Sequence, residues 1–442
     1  MTGKDLLEII FKHIVKITWP VRKSLSRFLM RTFLSTAEKH TEITTAYFSY
    51  LRWWTKSKID IQMFPLDWLD QSNIHEKGLL RHGSKDVAFG PHNIGQDQLT
   101  ETVRLPDIYY FVFENVRVSI ESSSFILNDK SILVDRAVGP DLHKYNLASG
   151  HLIKHFGEVG IVRLGQTEHL KKGLFLGGNG ASNYYHWLIE ILAKLEFLQK
   201  LPDYYKNYPL LVSEDVSRIS SFRESLDIYA NGRELILLNK EASYVIENLI
   251  YINTPNNLPF NLFGDGKFKI SYAAIDRVSI DFLRERALQA VEGVSAQIED
   301  PKKIFFGRKN ERRKYNQEEI LDYLSNLGFT LVFMEELSFA EQVRTIHNAN
   351  YIVGPTGAAW TNLIFCRPGT KALCWMAEEL GAFSAYSNIA NVVGVDLRYL
   401  TYKAGVNSTG ELYYQDYYID IDMIRKGLFT LGENQDLING HA

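Results

Sequence analysis

Apolar and polar positions change their spacing along the chain, and these changes mark the predicted elements. Residues 107–136 are dense in β-branched and aromatic residues, which predicts a β meander with a turn at Asn128-Asp129. From residue 173, short apolar runs alternate with amphipathic stretches, beginning with a strand at 173–178 and a helix at 183–201. This alternation continues to residue 253 and is typical of parallel α/β structure.

A second strand–helix series follows and predicts a doubly wound sheet of the nucleotide-binding type. Ser338 and Glu341 have capping-box spacing, and Gly328 is placed to end the preceding helix. Residues 254–269, rich in Asn, Pro and Gly, predict the link between the two series. The predicted strands are 303–307, 329–334, 351–354, 371–376 and 395–402, and the predicted helices are 271–292, 318–328, 338–349 and 356–366.

Composition narrows the class of protein. A chain of 442 residues exceeds one ordinary core, so two globular domains are expected. The formal net charge of −3 is unlike the basic footprint of a nucleic-acid-binding protein. Cys366 and Cys374 form neither a disulfide framework nor a zinc spacing, which fits a reducing cytoplasm. No uncharged apolar run reaches the roughly 18 residues of a membrane-spanning helix.

The first 35 residues differ from the rest in charge. Seven Lys or Arg and two Asp or Glu are interleaved there with Leu, Ile, Phe and Trp, up to Pro20 and beyond. A basic amphipathic helix of this kind can lie on an anionic membrane surface, which predicts peripheral contact with the inner face of the membrane. The alternative is a helix that packs on the body of the protein and exposes its basic face to solvent.

Small residues follow one predicted strand of the second series, at Gly354–Ala359. Ligands of open parallel sheets bind beyond the carboxyl ends of the strands, and a helix N-terminus attracts phosphate. This places a phosphate-binding turn at Thr356, Gly357 and Ala358, with Asn362 one turn into the helix. Many such turns are small only for packing, so the alternative stays open.

A run of cations follows another strand at the same predicted sheet edge. Arg308, Arg312 and Arg313 are placed to hold a diphosphate, which Arg contacts through a bidentate fork. A solvated loop is the alternative for such a charge run. Glu336 follows the next strand, and we predict that it belongs with these residues to the site that binds the diphosphate-bearing substrate.

The predicted helix at 183–201 supplies the third candidate. His186 and Glu190 lie four residues apart on one helix face, so the pair can act as a general base and its orienting partner. The alternative is a buried histidine–glutamate hydrogen bond that only stabilises the fold. Asn183, Tyr185 and Trp187 are predicted to lie on the acceptor side of this site, where the substrate whose proton the base removes would bind.

An Asp-Ile-Asp pattern occurs near the end of the chain, at Asp420 and Asp422. Metal-dependent sugar transferases use such carboxylates to bind a divalent ion, but here the pattern falls in a predicted alternating strand near the chain end. We therefore expect no metal and no other cofactor.

Three segments together resemble glycosyltransferase family 61. They are NYYHWLIEILAKL at 183–195, the run RRKYNQEEI at 312–320, and LSFAEQVRTIHNANYIVGPTGAAWTNLIFCRPGTK at 337–371. The resemblance extends from about residue 110 to 400. Two positions depart from the family pattern: Thr356 stands where the family usually has His, and Gln317 where it usually has Glu.

The resemblance implies a GT-B-like fold with two Rossmann-like domains facing across a cleft. The expected parts are a basic segment (1–50), an acceptor-side α/β domain with the meander (51–255), a nucleotide-sugar-binding domain (256–405) and a tail that packs back on the body (406–442).

The resemblance further implies inverting, metal-independent transfer from a nucleoside diphosphate sugar to a glycan or lipid-linked glycan, in surface or capsule polysaccharide synthesis of the bacterial branch. Thr356 supports an alternative: a noncatalytic protein that keeps the fold and binds a glycan or nucleotide. A second alternative is an epimerase or phosphorylase acting on sugar nucleotides.

Overall fold

The computed structural model describes residues 58–66, 74–128, 131–135, 145–156, 159–163, 166–256, 261–262, 266–293, 300–309 and 312–432. The basic segment 1–50 lies outside these residues, as does Asp129 of the predicted turn. The chain divides into two compact units, residues 1–59 with 161–163, and residues 60–160 with 164–442. The described residues of the first unit, 58–59 and 161–163, are mainly extended. The features described below belong to the second unit.

A mixed sheet occupies the first part of the second unit. Strands β11, β12, β13 and β14 are mutually parallel in the order β13-β12-β11-β14, and antiparallel β5 continues the sheet into the predicted meander. The strands of this sheet are β1 (Lys58–Pro65), β2 (Ile74–Arg81), β5 (Ile108–Val118), β6 (Ser124–Ile126), β7 (Ser131–Val134), β9 (Leu152–Phe156), β10 (Val159–Val162), β11 (Thr167–Leu176), β12 (Leu210–Ser213), β13 (Leu235–Leu238) and β14 (Ser243–Ile252). Two separate two-stranded sheets are formed by β3 (Lys85–Phe89) with β4 (Thr100–Arg104) and by β8 (Tyr145–Asn146) with β15 (Asn261–Leu262).

The second sheet is parallel throughout its described strands, in the order β17-β16-β18-β19-β20. Its strands lie where the apolar runs predict them, so the carboxyl ends of β16 and β18 are neighbours. The bounds are β16 (Lys303–Phe306), β17 (Thr330–Val332), β18 (Tyr351–Pro355), β19 (Lys371–Ala377) and β20 (Asp396–Tyr402). Together the two sheets confirm the predicted α/β class.

Helices cover the sheets. The α-helices are α1 (Ser220–Ala230), α2 (Arg277–Val291), α3 (Gln317–Asn326), α4 (Phe339–Asn348), α5 (Ala385–Val393) and α6 (Ile421–Thr430). Short 3₁₀ helices occupy Asp203–Tyr205, Glu214–Ser217, Ile270–Tyr272, Met334–Glu336, Ala358–Phe365, Glu378–Leu380 and Glu411–Tyr413. Among the described residues, no helix is both long enough and apolar enough to cross a bilayer.

A hydrophobic core cluster includes side chains from both sheets. Leu174 and Leu176 of β11 belong to the same buried cluster as Ile304 and Phe306 of β16. The two strand–helix series are therefore packed together within one compact unit. The predicted domain boundaries at residues 50, 255 and 405 stay predictions.

The predicted helix at 183–201 has three kinds of turn. A short α-turn at Tyr184–His186 leads into a π-helix at Trp187–Ile191 and then a 3₁₀ helix at Leu192–Lys200. π-turns are rare in proteins as a whole, but those that occur are often found at functional sites. The wider turn changes which side chains share a face of the helix.

The predicted strand around Asp420 is wrong. Asp420 instead caps helix α6, its side chain accepting a hydrogen bond from the Asp422 amide at 2.8 Å. Ile424 and Leu428 of that helix are buried at helical spacing. The apparent alternation in YYIDIDMI was too short to distinguish a strand from a capped helix.

The capping box of α4 is confirmed, and it yields a stability prediction. The Ser338 hydroxyl accepts from the Glu341 amide, and the Glu341 carboxylate accepts from the Ser338 amide. We expect Ser338→Ala to lower the free energy of unfolding by about 1 kcal/mol, since the Glu341 amide loses the hydroxyl that accepts its hydrogen bond. Urea denaturation measures this, and an unchanged midpoint would contradict it.

Candidate functional site

Arg308 joins the carboxyl ends of two neighbouring strands. It follows β16, and its Nη2 donates a hydrogen bond to the backbone carbonyl of Thr356, just after β18. A Cβ at Gly357 would lie 3.1 Å from the same Nη2, so the absence of a side chain lets the guanidinium approach the turn. The predicted convergence of Arg308 with the small-residue turn is therefore present.

Arg313 is a second guanidinium at this edge, held in an unusual state. Its backbone has φ +58°, the left-handed region that side-chain-bearing residues seldom adopt. Its Nε and Nη2 are buried and have no hydrogen-bond partner among the described residues, while Tyr402 lies within hydrogen-bonding reach of the guanidinium. Strained backbone and unsatisfied buried donors together mark a position kept for something other than the fold.

The two guanidinium groups repel each other. Burial lowers the pKa of Arg308, and the charge of Arg313 lowers it further. In the described part of the chain neither Arg308 nor Arg313 has a carboxylate within ion-pair distance. An arginine stays protonated at neutral pH, so the site carries two positive charges without a counter-ion from these residues.

Tyrosines surround the arginine pair. Burial raises the pKa of Tyr386, Tyr402, Tyr413 and Tyr417. The charges of both arginines lower the pKa of Tyr386, Tyr402 and Tyr417, and the charge of Arg313 lowers that of Tyr413. The sequence prediction missed these residues. Tyr402 ends β20 at the sheet edge and could have been found by the strand-end rule, whereas Tyr413 and Tyr417 lie in the tail beyond the strand pattern.

The helix Ala358–Phe365 starts at this edge as predicted. Gly357 precedes it and no side chain caps its N-terminus, so the first amide groups have no acceptor within the helix. Thr356 is buried, and its amide donates to the Trp375 carbonyl at 2.9 Å. Asn362 is also buried, and its Nδ2 donates to the Ala359 carbonyl at 3.1 Å. Asn362 therefore supports the turn from beneath.

The other two donor-side predictions lie on the exterior. Arg312 is exposed, and its guanidinium lies 5.6 Å from the centroid of the Tyr414 ring. Glu336 is exposed and forms an ion pair with Lys309. Of the three predicted arginines, Arg308 and Arg313 form the inner pair.

The predicted His186–Glu190 pair forms. His186 Nδ1 lies 3.1 Å from Glu190 Oε2, with side-chain exposures of 23% and 2%. The carboxylate is buried while the imidazole keeps a solvent-facing edge. When Nδ1–H donates to Glu190, the other ring nitrogen is left as a proton acceptor.

The three predicted acceptor-side residues differ in exposure. Asn183 is exposed and caps the helix, accepting from the Tyr185 amide at 2.9 Å. Tyr185 is buried, with its ring 5.7 Å from that of His186. Trp187 is buried as well: its ring stacks on Phe222 at 4.9 Å, and its indole N–H donates to Ser225. The Trp187 side chain is thus placed in the core, away from any acceptor in solution.

Two contacts join the His186 segment, the helical residues 184–200, to the arginine edge, the edge of the second sheet at which Arg308 and Arg313 lie. The Tyr184 hydroxyl donates to Asn362 Oδ1 at 2.9 Å. The Tyr185 ring lies 6.1 Å from that of Tyr386, on which both arginines act. The three strand ends that the sequence singled out therefore meet in one region.

Gly180 sits against the His186 ring and gives a test of this geometry. It has φ +78°, and a Cβ there would lie 2.7 Å from His186 Cδ2. We expect Gly180→Ala to cost about 1–3 kcal/mol in the free energy of unfolding or to displace the imidazole.

Chemical denaturation and turnover together measure the Gly180→Ala effect. Gly232→Ala is a matched control, because it also has positive φ but nothing within 4 Å of the added carbon. Equal turnover in the two variants would show that the His186 position does not matter.

The Asp-Ile-Asp carboxylates have local partners. Asp420 caps α6, and Asp422 Oδ1 accepts from Arg425 at 2.8 Å. Among the described residues no group of three or more His, Cys, Asp or Glu is arranged to bind a metal ion.

Comparison with protein families matches part of the chain. Residues 184–373 match the family model described as Glycosyltransferase 61. The matched range begins at the helix of His186 and ends within β19, so it includes Arg308, Arg313 and the Gly354–Ala359 turn. No curated protein matches the chain.

Proposed function

From the premise that this chain is a glycosyltransferase of family 61, we propose that it transfers a sugar from a nucleoside diphosphate sugar to a hydroxyl group of a glycan acceptor. One observation carries the proposal: Arg308 and Arg313 lie beside an uncapped helix N-terminus with no carboxylate partner among the described residues. A diphosphate supplies the charge and acceptor oxygens that these donors lack.

The donor diphosphate binds between the two guanidinium groups and the first amides of the helix Ala358–Phe365. Two fixed positive charges stabilise the negative charge that grows on the leaving phosphate, the task a metal ion performs in other transferases. Since the cations are built into the fold, we propose a metal-independent reaction that needs no cofactor. Thr356 contributes its backbone carbonyl to position Arg308, so the family histidine is not needed for that contact.

His186 acts as the general base. Glu190 holds Nδ1–H, and Nε2 accepts the proton of the acceptor hydroxyl. The acceptor oxygen forms a bond to the anomeric carbon while the bond from that carbon to the phosphate oxygen breaks. Attack from the face opposite the leaving group inverts the anomeric configuration. The base comes from the first strand–helix series and the diphosphate site from the second, which is the division of labour of a GT-B-like arrangement.

The acceptor class follows from the family resemblance rather than from a described pocket. We propose a glycan or lipid-linked glycan of a surface polysaccharide, made in the cytoplasm at the membrane. The basic segment 1–35 would supply the membrane contact, and it lies outside the described residues.

Release of nucleoside diphosphate tests the function. The protein is incubated with a panel of nucleoside diphosphate sugars, with and without oligosaccharide acceptors, and with or without EDTA. We expect one donor to yield nucleoside diphosphate and a glycosylated product of inverted anomeric configuration, with turnover unchanged by EDTA. Loss of turnover with EDTA would overturn metal independence. Donor binding without any release would identify a noncatalytic binding protein.

A further inference from the structure

The tail after β20, residues 403–432, is hydrogen-bonded at several positions to the arginine segment, residues 312–316. The Lys314 amide donates to Asp416 Oδ1 at 2.7 Å, and the Tyr417 amide donates to the Lys314 carbonyl at 3.0 Å. Asn316 bonds Ile419 twice, through its Nδ2 at 2.9 Å and its Oδ1 at 3.0 Å. Residues 416–419 are therefore positioned by the same backbone that positions Arg313.

Ring stacking stiffens this junction. Tyr417 stacks on Tyr402 at 4.3 Å and on Tyr315 at 5.4 Å, with interplanar angles of 13° and 8°. One of these rings comes from β20, one from the arginine segment and one from the tail. The tail is thus a preorganised wall of the site, since three separate chain segments fix it.

Two tyrosines of this wall are open to solvent. Tyr413 is 55% exposed and Tyr414 is 69% exposed, a high value for large aromatic side chains. Burial of its hydroxyl raises the pKa of Tyr413, and the Arg313 charge lowers it. Tyr414 carries the Arg312 guanidinium over its ring.

Contacts connect the His186 segment to a ring beside the arginines, and further contacts connect the arginine segment to the tail. His186 contacts Tyr185, and Tyr185 contacts Tyr386. On the tail side, the Arg312 guanidinium lies over the Tyr414 ring, and the Lys314 amide donates to Asp416. A nucleoside diphosphate sugar carries its nucleoside directly beside the diphosphate, so a surface for the nucleoside has to lie next to the arginine segment, as the tail does.

We propose that Tyr413 and Tyr414 form the stacking surface for the nucleobase of the donor. This inference rests on the proposed function, because the diphosphate must first occupy the arginine pair. A planar base stacks on tyrosine and guanidinium faces alike, and the Tyr414–Arg312 pair offers both. An acceptor sugar is the less favoured occupant, since its hydroxyl has to reach His186, whose described contacts are with Tyr185 and Glu190 and not with Tyr414.

Titration calorimetry with two probes tests the surface. The probes are inorganic pyrophosphate and whichever of UDP, GDP, ADP and CDP the unaltered protein binds most tightly. We expect Tyr414→Ala to weaken nucleoside diphosphate binding by roughly 5- to 150-fold, the range found for single base–aromatic stacks, and to leave pyrophosphate binding unchanged. Tyr414→Phe keeps the ring and is expected to bind as the unaltered protein does.

Tyr418→Ala is the matched control. Tyr418 is 62% exposed on the same tail, and its hydroxyl bonds Glu319 rather than an arginine. We expect both probes to bind this variant normally. Because Tyr414 is largely exposed, its replacement should leave the melting temperature unchanged, which calorimetry of unfolding checks.

The outcomes separate this inference from the proposed function. If the unaltered protein binds neither probe, the diphosphate site itself is wrong. If pyrophosphate binds but Tyr414→Ala binds the nucleoside diphosphate normally, the nucleobase surface is wrong, whether or not acceptor use changes. Equal weakening of both probes would also overturn it, because the ring would then support the arginines.

Discussion

Replacing Arg313 by glutamine is expected to weaken nucleoside diphosphate binding by at least about 30-fold while making the fold more stable. The loss follows from removing a charged donor whose Nε and Nη2 have no hydrogen-bond partner in the described part of the chain. The gain follows from removing a positive charge that lies near Arg308 without a counter-ion, worth about 1 kcal/mol in the free energy of unfolding. Titration calorimetry and urea denaturation measure the two effects.

Lys309→Gln is the control for this prediction. Lys309 is a cation of the same segment but is exposed and pairs with Glu336, so its replacement is expected to change stability and binding little. A variant at Arg313 that is both less stable and normal in binding would show that the buried guanidinium serves the fold alone.

His186→Ala is expected to lower kcat by about 10²- to 10⁴-fold, the usual contribution of a general base. Donor binding should remain, because the described contacts of His186 are with Tyr185 and Glu190 and not with the arginines. Rapid-quench or steady-state kinetics with saturating donor and acceptor measure kcat. Calorimetric titration with the nucleoside diphosphate checks that the donor site is intact.

A second histidine–glutamate pair gives the matched control. His75 Nδ1 lies 3.2 Å from Glu114 Oε1, with both side chains about half exposed on neighbouring strands β2 and β5. We expect His75→Ala to leave kcat unchanged, since an exposed pair of this kind contributes little even to stability. Equal losses at His75 and His186 would mean that both act through folding.

The convergence of the candidate site could be predicted from strand order. Apolar runs placed β16 and β18 in one parallel sheet, and parallel strands end at the same edge. Arg308 and the Gly354–Ala359 turn follow those strands directly, so their meeting needed no tertiary information. The His186–Glu190 contact was likewise predictable from helical spacing.

The choice among the arginines could not be read from sequence. Arg312 and Arg313 are adjacent and chemically identical, and the left-handed φ of Arg313 decides which one turns inward. That backbone state depends on the tail, which bonds Lys314 and Asn316 from more than 100 residues away. Contacts between residues so far apart in sequence leave no local pattern. Tyr413 and Tyr417 of the tail could not be predicted for the same reason.

The kinds of helical turn in the His186 segment, and the burial of its side chains, also could not be predicted from the spacing of apolar residues. The predicted helix contains a π-turn at Trp187–Ile191, which shifts later side chains relative to an ideal α-helix. The sequence analysis predicts Trp187 on the acceptor side, yet its indole stacks on Phe222 in the core. Proximity in sequence to a chemical residue does not place a side chain in the site.

A crystal structure of the protein with its nucleoside diphosphate tests the central claim most directly. We predict that the diphosphate oxygens lie within hydrogen-bond distance, about 2.7–3.2 Å, of the guanidinium nitrogens of both Arg308 and Arg313 and of the first amides of the helix Ala358–Phe365. Density for the diphosphate elsewhere, with Arg313 Nε and Nη2 still unpartnered, would contradict the account.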